Sequence, residues 1–115
     1  VINPDGLKGQ IIGGLTTGLG YALFEDVIID AGQVRNPSFL DCPLPTATDM
    51  PEITWDVVEE FDRKGPFGAK GVGNVSVVNM APAIANAVES AVGARVKTLP
   101  ITSARILAQI GESGS

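Results

Sequence analysis

The stretch Gly9-Gln-Ile-Ile-Gly-Gly-Leu-Thr-Thr-Gly-Leu-Gly-Tyr-Ala-Leu23 is the clearest indication of the fold in this 115-residue chain. Its apolar residues recur at the spacing of one helix face, whereas its glycines gather on another side. A glycine in a helix interior costs about 1 kcal/mol relative to alanine, so this helix requires close packing on its glycine side. We therefore predict a helix over residues 9–23 with a closely packed neighbour on its glycine side.

The composition predicts one globular domain and argues against several kinds of partner. Apolar residues make up 44% of the chain and charged residues 18%, as in folded proteins. The net charge is -5 and the basic residues are scattered, so we expect neither a nucleic acid nor a membrane as partner. The apolar stretch 11–24 is also shorter than the about 20 residues that span a bilayer. No signal peptide is recognised at the start, and a cytoplasmic location is expected.

Metal binding by the chain's own side chains is not predicted. The sequence has no histidine and one cysteine, Cys42, which excludes an internal disulfide and a four-thiolate zinc or iron–sulfur site. Any metal must arrive on a cofactor or be held by another chain.

The remaining elements are short, and they predict a small mixed α+β domain over residues 1–110 with a disordered tail over 111–115. Alternating residues predict a half-buried strand over 52–60, and four prolines exclude a helix or central strand over 36–51. A hairpin is predicted over 27–30 and 33–35, and a short strand or extended link over 95–99. Two helices are also predicted. The first has Pro82 in its first turn and Gly93 as its cap, and the second runs from Thr102 to Gly111.

The glycine loop Gly65-Pro-Phe-Gly-Ala-Lys-Gly-Val-Gly-Asn74 is the candidate functional segment. It lies between a predicted strand and a predicted helix, where backbone amides can converge on an anion. It is not a P-loop, because Gly71 follows Lys70, and Ser76 stands where the dinucleotide fingerprint has its third glycine. By composition alone a structural turn is the commoner explanation.

The amino-acid sequence of this loop and of four other regions resembles that of the last domain of the molybdopterin-binding subunit in the xanthine dehydrogenase/aldehyde oxidase family. The resemblance covers about residues 1–110 and implies a small mixed α/β domain that is a fragment of a larger one. Its motifs, in the order of the chain, are Asn3-Pro4 with Gly9-Gln-Ile-Ile-Gly-Gly14 and Gly18-Leu-Gly-Tyr-Ala-Leu23, Asn36-Pro-Ser-Phe-Leu-Asp41 with Leu44-Pro-Thr-Ala47 and Asp49-Met-Pro51, Gly68-Ala-Lys-Gly-Val-Gly73, Ala81-Pro-Ala-Ile-Ala-Asn-Ala-Val88, and Leu99-Pro-Ile-Thr102.

The resemblance also implies a molybdopterin cofactor, in a dinucleotide form, beside this domain. Gln10 matches a glutamine whose amide can donate to oxo, sulfido or dithiolene atoms of the cofactor. Residues Lys70, Gly71, Val72 and Gly73 match the loop whose backbone lies against the metal side of the cofactor. The resemblance places the remaining contacts in other domains, so no cofactor is expected on the isolated chain. Without the family resemblance, the simpler interpretation of Gln10 is an exposed residue near a helix start.

Asn74 is the one departure from the family that affects chemistry. The resemblance places a general-base glutamate at this position, and a neutral amide cannot accept the proton that such a base removes. Three accounts stay open: a paralogue with little or no hydroxylase activity, a substrate that needs no base here, or a deliberate replacement of Glu. The nearest carboxylates in sequence, Glu59, Glu60 and Asp62, are more simply a solvated strand end.

Two functions follow from the resemblance. The first is part of a molybdenum hydroxylase for an aldehyde, a purine, another N-heterocycle or a related small molecule, inactive alone, whose electrons leave through iron–sulfur and FAD centres on partner chains or domains. The alternative is a non-catalytic module that binds cofactor or assembles subunits. In either case we expect the glycine-lined face of residues 9–23 to be exposed and to contact a partner chain or a second copy.

Overall fold

The computed structural model describes residues 1–113, which form three helices and one small hairpin. The elements are α1 (Pro4–Leu23), β1 (Ile29–Asp30), β2 (Gln33–Val34), α2 (Met80–Val92) and α3 (Ser103–Ser113), with 3₁₀ turns at Pro66–Gly68 and Asn74–Ser76. This arrangement confirms the predicted mixed α+β class.

Helix α1 begins at Pro4, so the predicted start at Gly9 is wrong by more than one turn. Asn3 caps the helix, because its side-chain oxygen accepts a hydrogen bond from the Gly6 N–H at 2.9 Å. Pro4 follows at the first helical position, where its missing N–H leaves no helical bond unmade. The Asn3-Pro4 pair thus extends the helix beyond its periodic apolar stretch.

The glycine side of α1 is packed closely over its C-terminal half only. A Cβ added at Gly14 would overlap Ser76 Oγ, and one added at Gly18 would lie 2.6 Å from Met80 Cβ. Nothing lies within 4 Å of a Cβ added at Gly9 or Gly13. The predicted close contact is therefore confirmed where α2 and the turn before it cross α1, and it is wrong nearer the N-terminus.

The same packing corrects the expected association surface. Gly18 and Gly20 on α1 are buried within this chain, together with Leu19 and Ala22. Because other residues of the same chain cover this part of α1, a partner chain or a second copy cannot contact α1 there. Large exposed apolar side chains lie elsewhere, at Phe39, Leu40, Val58, Phe67 and Val78 among others.

The predicted hairpin is present, with strands of two residues each. Ile29 pairs with Val34 and Asp30 with Gln33 in antiparallel register. The connecting residues Ala31 and Gly32 have φ angles of 48° and 77°, the left-handed values that a tight two-residue turn requires.

Residues 36–61 contain no helix and no strand. This confirms the prediction for residues 36–51, and it shows that the predicted strand over 52–60 is wrong for the chain as described. The residues alternate as in a strand, but no other strand lies beside them to complete a ladder.

One contact within this passage involves a charged group. Thr46 donates to the Asp49 carboxylate from its hydroxyl at 2.6 Å and from its N–H at 2.8 Å. These two bonds, the side-chain one first, lower the pKa of Asp49 below its ordinary value of 3.8. Because the folded-state pKa is depressed, any stability from this contact is present above the ordinary value and is lost as the pH falls through the lowered pKa.

Helices α2 and α3 agree with the sequence except at the end of the chain. Pro82 lies in the first turn of α2, and Gly93 caps it with a left-handed φ of 72°. Thr102 Oγ1 accepts a hydrogen bond from the Arg105 N–H at 3.3 Å, as a capping residue does. Helix α3 continues past Gly111 to Ser113, so residues 111–113 are helical where a disordered tail was predicted. Residues 114 and 115 lie outside the described part.

The link between the two helices, residues 95–99, is extended rather than a strand. It leads into a cis peptide bond between Leu99 and Pro100. The Ile101 N–H donates to the Ala22 carbonyl at 2.7 Å and ties this link to the end of α1.

By length and composition alone, the stretch Asn74–Val92 is apolar enough to cross a membrane. It is not one helix, because three turn residues separate the 3₁₀ turn at Asn74–Ser76 from α2. The 13 residues of α2 span about 20 Å, less than the about 30 Å thickness of a hydrocarbon core. The geometry thus favours protein rather than lipid as the neighbour of this apolar surface.

The chain buries little of its own surface. Its accessible surface is 8489 Å², whereas a compact monomer of this mass exposes about 6000 Å². Its radius of gyration is 17.9 Å, against about 13 Å for a compact domain of this length. The buried apolar residues among those described are small or medium in size: Leu19, Ala22, Ala94, Val96 and Ile101. The chain is thus more open than a compact domain of its length.

Candidate functional site

The candidate loop begins with a tight turn whose backbone closes on itself. The Asp62 N–H donates to the Gly68 carbonyl at 3.0 Å, and the Gly65 N–H donates to the Asp62 carbonyl at 3.2 Å. Gly68 has a left-handed φ of 76°, and a Cβ there would overlap the Phe61 ring. Glycine is therefore required at this point, both for the backbone conformation and for the aromatic contact.

Beyond this turn, the backbone of Lys70, Gly71, Val72 and Gly73 is open. Within residues 1–113 the N–H groups of these four residues donate to no other backbone group. Nothing lies within 4 Å of a Cβ added at Gly71 or Gly73. A run of unpaired donors without side-chain cover can accept the close approach of an anionic or oxygen-rich group.

Asn74 opens the 3₁₀ turn that follows the loop. Its carbonyl accepts from the Val77 N–H at 3.1 Å, which fixes its backbone. Its side chain is exposed and makes no hydrogen bond to another described residue. The amide of Asn74 is therefore available to a group outside this chain.

Gln10 lies close to this turn, on the facing part of α1. The Ser76 hydroxyl, two residues after Asn74, donates to the Gln10 carbonyl at 3.4 Å. Ser76 is buried and fills the space that the absent side chain of Gly14 leaves. The structure thus brings the two predicted halves of the site together, Gln10 on α1 and the loop that ends at Asn74.

Ser76 and Gly14 form the contact between α1 and the turn after the loop, and the sequence analysis did not predict it. In the sequence, Ser76 was noted only because it stands where the dinucleotide fingerprint has a glycine. The available signal was the Gly13-Gly14 pair, because two adjacent glycines on a helix face different directions. One of them contacts this chain, and the other faces open space.

The charges beside the loop are exposed and weakly paired. Lys70 Nζ lies 3.7 Å from Glu60 Oε2, and both side chains are at least half exposed. Exposed pairs of this kind contribute about 0–1 kcal/mol, so Lys70 remains able to change partner.

The described residues contain no group of three or more His, Cys, Asp or Glu side chains that could hold a metal ion. A cofactor that carries its own metal ligands, such as molybdopterin, requires donors and space instead. The unpaired amides of residues 70–73, the exposed Gln10 side chain and the uncovered glycines at positions 9 and 13 supply both. The chemistry of these residues therefore fits one edge of such a cofactor.

Comparison with known proteins gives a consistent result. Residues 1–51 match the family model of a molybdopterin cofactor-binding domain. The chain is 40% identical over 99% of its length to a xanthine dehydrogenase molybdenum-binding subunit of Escherichia coli O157:H7, and 34% identical over 93% to the aldehyde oxidoreductase molybdenum-binding subunit of E. coli K12. Among solved structures, quinoline 2-oxidoreductase of Pseudomonas putida 86 has a TM-score of 0.89 and 34% identity over 97% of the chain.

These matches, which extend over nearly all of the chain, define its class. It belongs to the molybdenum-binding subunits of the xanthine dehydrogenase/aldehyde oxidase family. The chain spans about 15% of the length of these relatives, and the same share of the quinoline enzyme's chain, so it corresponds to a fragment of the cofactor-binding part. The resemblance predicted from its motifs is thereby confirmed.

Proposed function

We propose that this chain forms one wall of the molybdopterin site in a molybdenum hydroxylase and is inactive by itself. The observation that supports this most directly is the hydrogen bond from the Ser76 hydroxyl to the Gln10 carbonyl, because it joins the helix that carries Gln10 to the turn that follows the loop 70–73. The large exposed surface described above supports the need for further domains of the same subunit.

Each residue of the proposed site has a distinct task. The Gln10 amide donates a hydrogen bond to an acceptor atom of the cofactor. The backbone N–H groups of Lys70, Gly71, Val72 and Gly73 donate to neighbouring acceptors, and the two glycines allow the backbone to approach closely. When bound, the cofactor supplies the oxidation chemistry, and this chain supplies orientation and hydrogen bonds.

The finer assignments of this proposal come from the family resemblance. They are a dinucleotide form of molybdopterin, iron–sulfur and FAD centres on partner subunits, and a small substrate such as an aldehyde or an N-heterocycle. The names of the relatives support this range, since they include a xanthine dehydrogenase and an aldehyde oxidoreductase. A cytoplasmic location is part of the same proposal.

Asn74 favours a second candidate, a module that holds cofactor or subunits without catalysing hydroxylation. Its side chain is exposed beside the loop, and an amide cannot take up a proton at useful pH. Activity of the assembled protein with its natural Asn74 separates the two candidates.

The proposed role of Gln10 predicts that Gln10→Ala weakens cofactor binding in the complete subunit. Loss of one hydrogen bond to a charged acceptor should lower the affinity by about 10- to 100-fold. Molybdenum content of the purified protein, by elemental analysis, is the measurement, and the molybdenum resonance spectrum reports the geometry of any cofactor that remains.

Lys8→Ala is the matched control for this experiment. Lys8 is exposed on the same helix, about 200° around its axis from Gln10, and its side chain makes no hydrogen bond or ion pair with a described residue. Full molybdenum content and an unchanged spectrum in Gln10→Ala would remove Gln10 from the site.

A further inference from the structure

Residues 52–60 form an extended segment with no backbone partner. Within residues 1–113 neither their N–H nor their C=O groups bond to another backbone group. One backbone group of the segment bonds to a side chain: the Val57 N–H donates to the adjacent Asp56 carboxylate at 2.7 Å. A segment of this length normally satisfies its backbone groups in a sheet.

The side chains of this segment alternate in their surroundings as those of a strand do. Ile53 and Val57 are half-buried, and Trp55 between them is 38% exposed. Thr54, Asp56 and Val58 on the other side are exposed, Val58 by 96%. Residues 50–54 border a cleft whose other wall is formed by Leu15, Leu19 and Met80. One face of the segment thus rests on the helices, and its two long edges remain open.

The composition of residues 52–60 also suits a strand. Four β-branched residues and Trp55 lie in a stretch without glycine or proline; the four are Ile53, Thr54, Val57 and Val58. The proline-rich passage before it and the glycine loop after it lack this composition. The composition therefore favours a strand at a place where no strand within residues 1–113 pairs with it.

We propose that residues 52–60 are one strand of a sheet whose other strands belong to the rest of the same molybdenum-binding subunit. The proposal rests on the proposed function, because it requires the larger subunit. Two observations identify the occupant. The solved quinoline enzyme shares the overall fold over 97% of this chain, with a TM-score of 0.89, and this chain covers 15% of that enzyme's chain, so a much larger remainder of such a subunit is available to supply strands. The accessible surface also exceeds that of a compact monomer by about 2500 Å².

Such pairing would act directly on the candidate site. The segment leads through Phe61 into the turn closed by Asp62 and Gly68, and the open loop 70–73 follows at once. A strand held along its edge would fix the first end of the loop, as Ser76 fixes the second. The rest of the subunit would then influence the position of the loop without touching it.

Hydrogen exchange tests this in the complete subunit as purified, with fragmentation mass spectrometry that resolves single amides. We expect alternate amides within residues 52–60 to exchange at least about 100-fold more slowly than in an unstructured peptide of the same sequence. Exchange at the unstructured rate throughout the segment, in protein with full molybdenum content, overturns the proposal and leaves the proposed function intact. Absence of molybdenum together with slow exchange contradicts the proposed function instead.

A pair of variants tests the role of the backbone itself. Val58→Pro removes one N–H group, whereas Val58→Thr keeps it along with β-branching. We expect Val58→Pro to lower the yield of molybdenum-containing subunit at least about tenfold and Val58→Thr to leave it near normal. Equal yields of the two variants contradict strand pairing. Protection that depends on protein concentration would identify a second copy as the occupant and equally overturn the proposal.

Discussion

Asn74→Glu is expected to raise the hydroxylation rate of the assembled enzyme by about 10²- to 10⁴-fold, the usual contribution of a general base. The structure supplies the conditions for this gain. The Asn74 side chain is exposed and unbonded within this chain, so the longer glutamate meets no obstacle from it. Gln10 and residues 70–73 already provide the proposed hydrogen-bonding frame, which the substitution leaves unchanged.

Asn74→Gln is the matched control, because glutamine has the length of glutamate without its charge. We expect no gain from it. The activity of Asn74→Glu should increase as the pH rises through the pKa of the new carboxyl group, since only the ionised form accepts a proton. Molybdenum content should be equal in all three proteins. A natural enzyme that is fully active with Asn74 and slowed by Glu would show that the general base does not act at this position.

Gly18→Ala is expected to destabilise the crossing of α1 and α2. The new Cβ would lie 2.6 Å from Met80 Cβ and 3.0 Å from the Val77 carbonyl oxygen, and neither atom is the far end of a flexible side chain. Alanine improves helix propensity by about 1 kcal/mol, but overpacking costs about 1–3 kcal/mol or more. The net effect should be a lower free energy of unfolding and a displaced 3₁₀ turn at Asn74–Ser76.

Thr17→Ala provides the comparison on the neighbouring position. Thr17 is exposed, and its hydroxyl bonds only to the Gly13 carbonyl of the same helix. Its replacement therefore changes helix propensity without creating a clash. Thermal unfolding of the complete subunit should show a lower midpoint for Gly18→Ala and an equal or higher one for Thr17→Ala. A rise in the midpoint for both variants would show that the crossing does not require glycine.

Local rules predicted the helices, the hairpin and the loop well because their signals lie close together in sequence. Gly93 and the Ala31-Gly32 pair mark their own backbone conformations, and Thr102 marks a helix start. The start of α1 was missed because its first turn lacks the apolar spacing that defined the rest of the helix. The capping residue Asn3 and Pro4 at the first helical position carry that information.

Other predictions failed because they depend on contacts between residues that are far apart in the sequence. Residues 52–60 have the pattern of a strand, but pairing needs a neighbour that local sequence does not specify. The contact of Ser76 with Gly14 was equally invisible, since no periodicity links positions 62 residues apart. The motifs identified the family and its cofactor, which the comparisons confirm, while the roles of Gln10 and Asn74 stay predictions.

The contact between Gly14 and Ser76 has an evolutionary consequence. A Cβ at position 14 would overlap Ser76 Oγ and would lie 3.0 Å from Ser76 Cβ, so the two side chains share one volume. A lineage that acquires a larger residue at position 14 must then change position 76 as well, or accept a shift of the turn that carries Asn74. We therefore expect the two positions to covary among homologues, with drift at one following drift at the other, whereas Gly9 and Gly13 should vary independently of position 76.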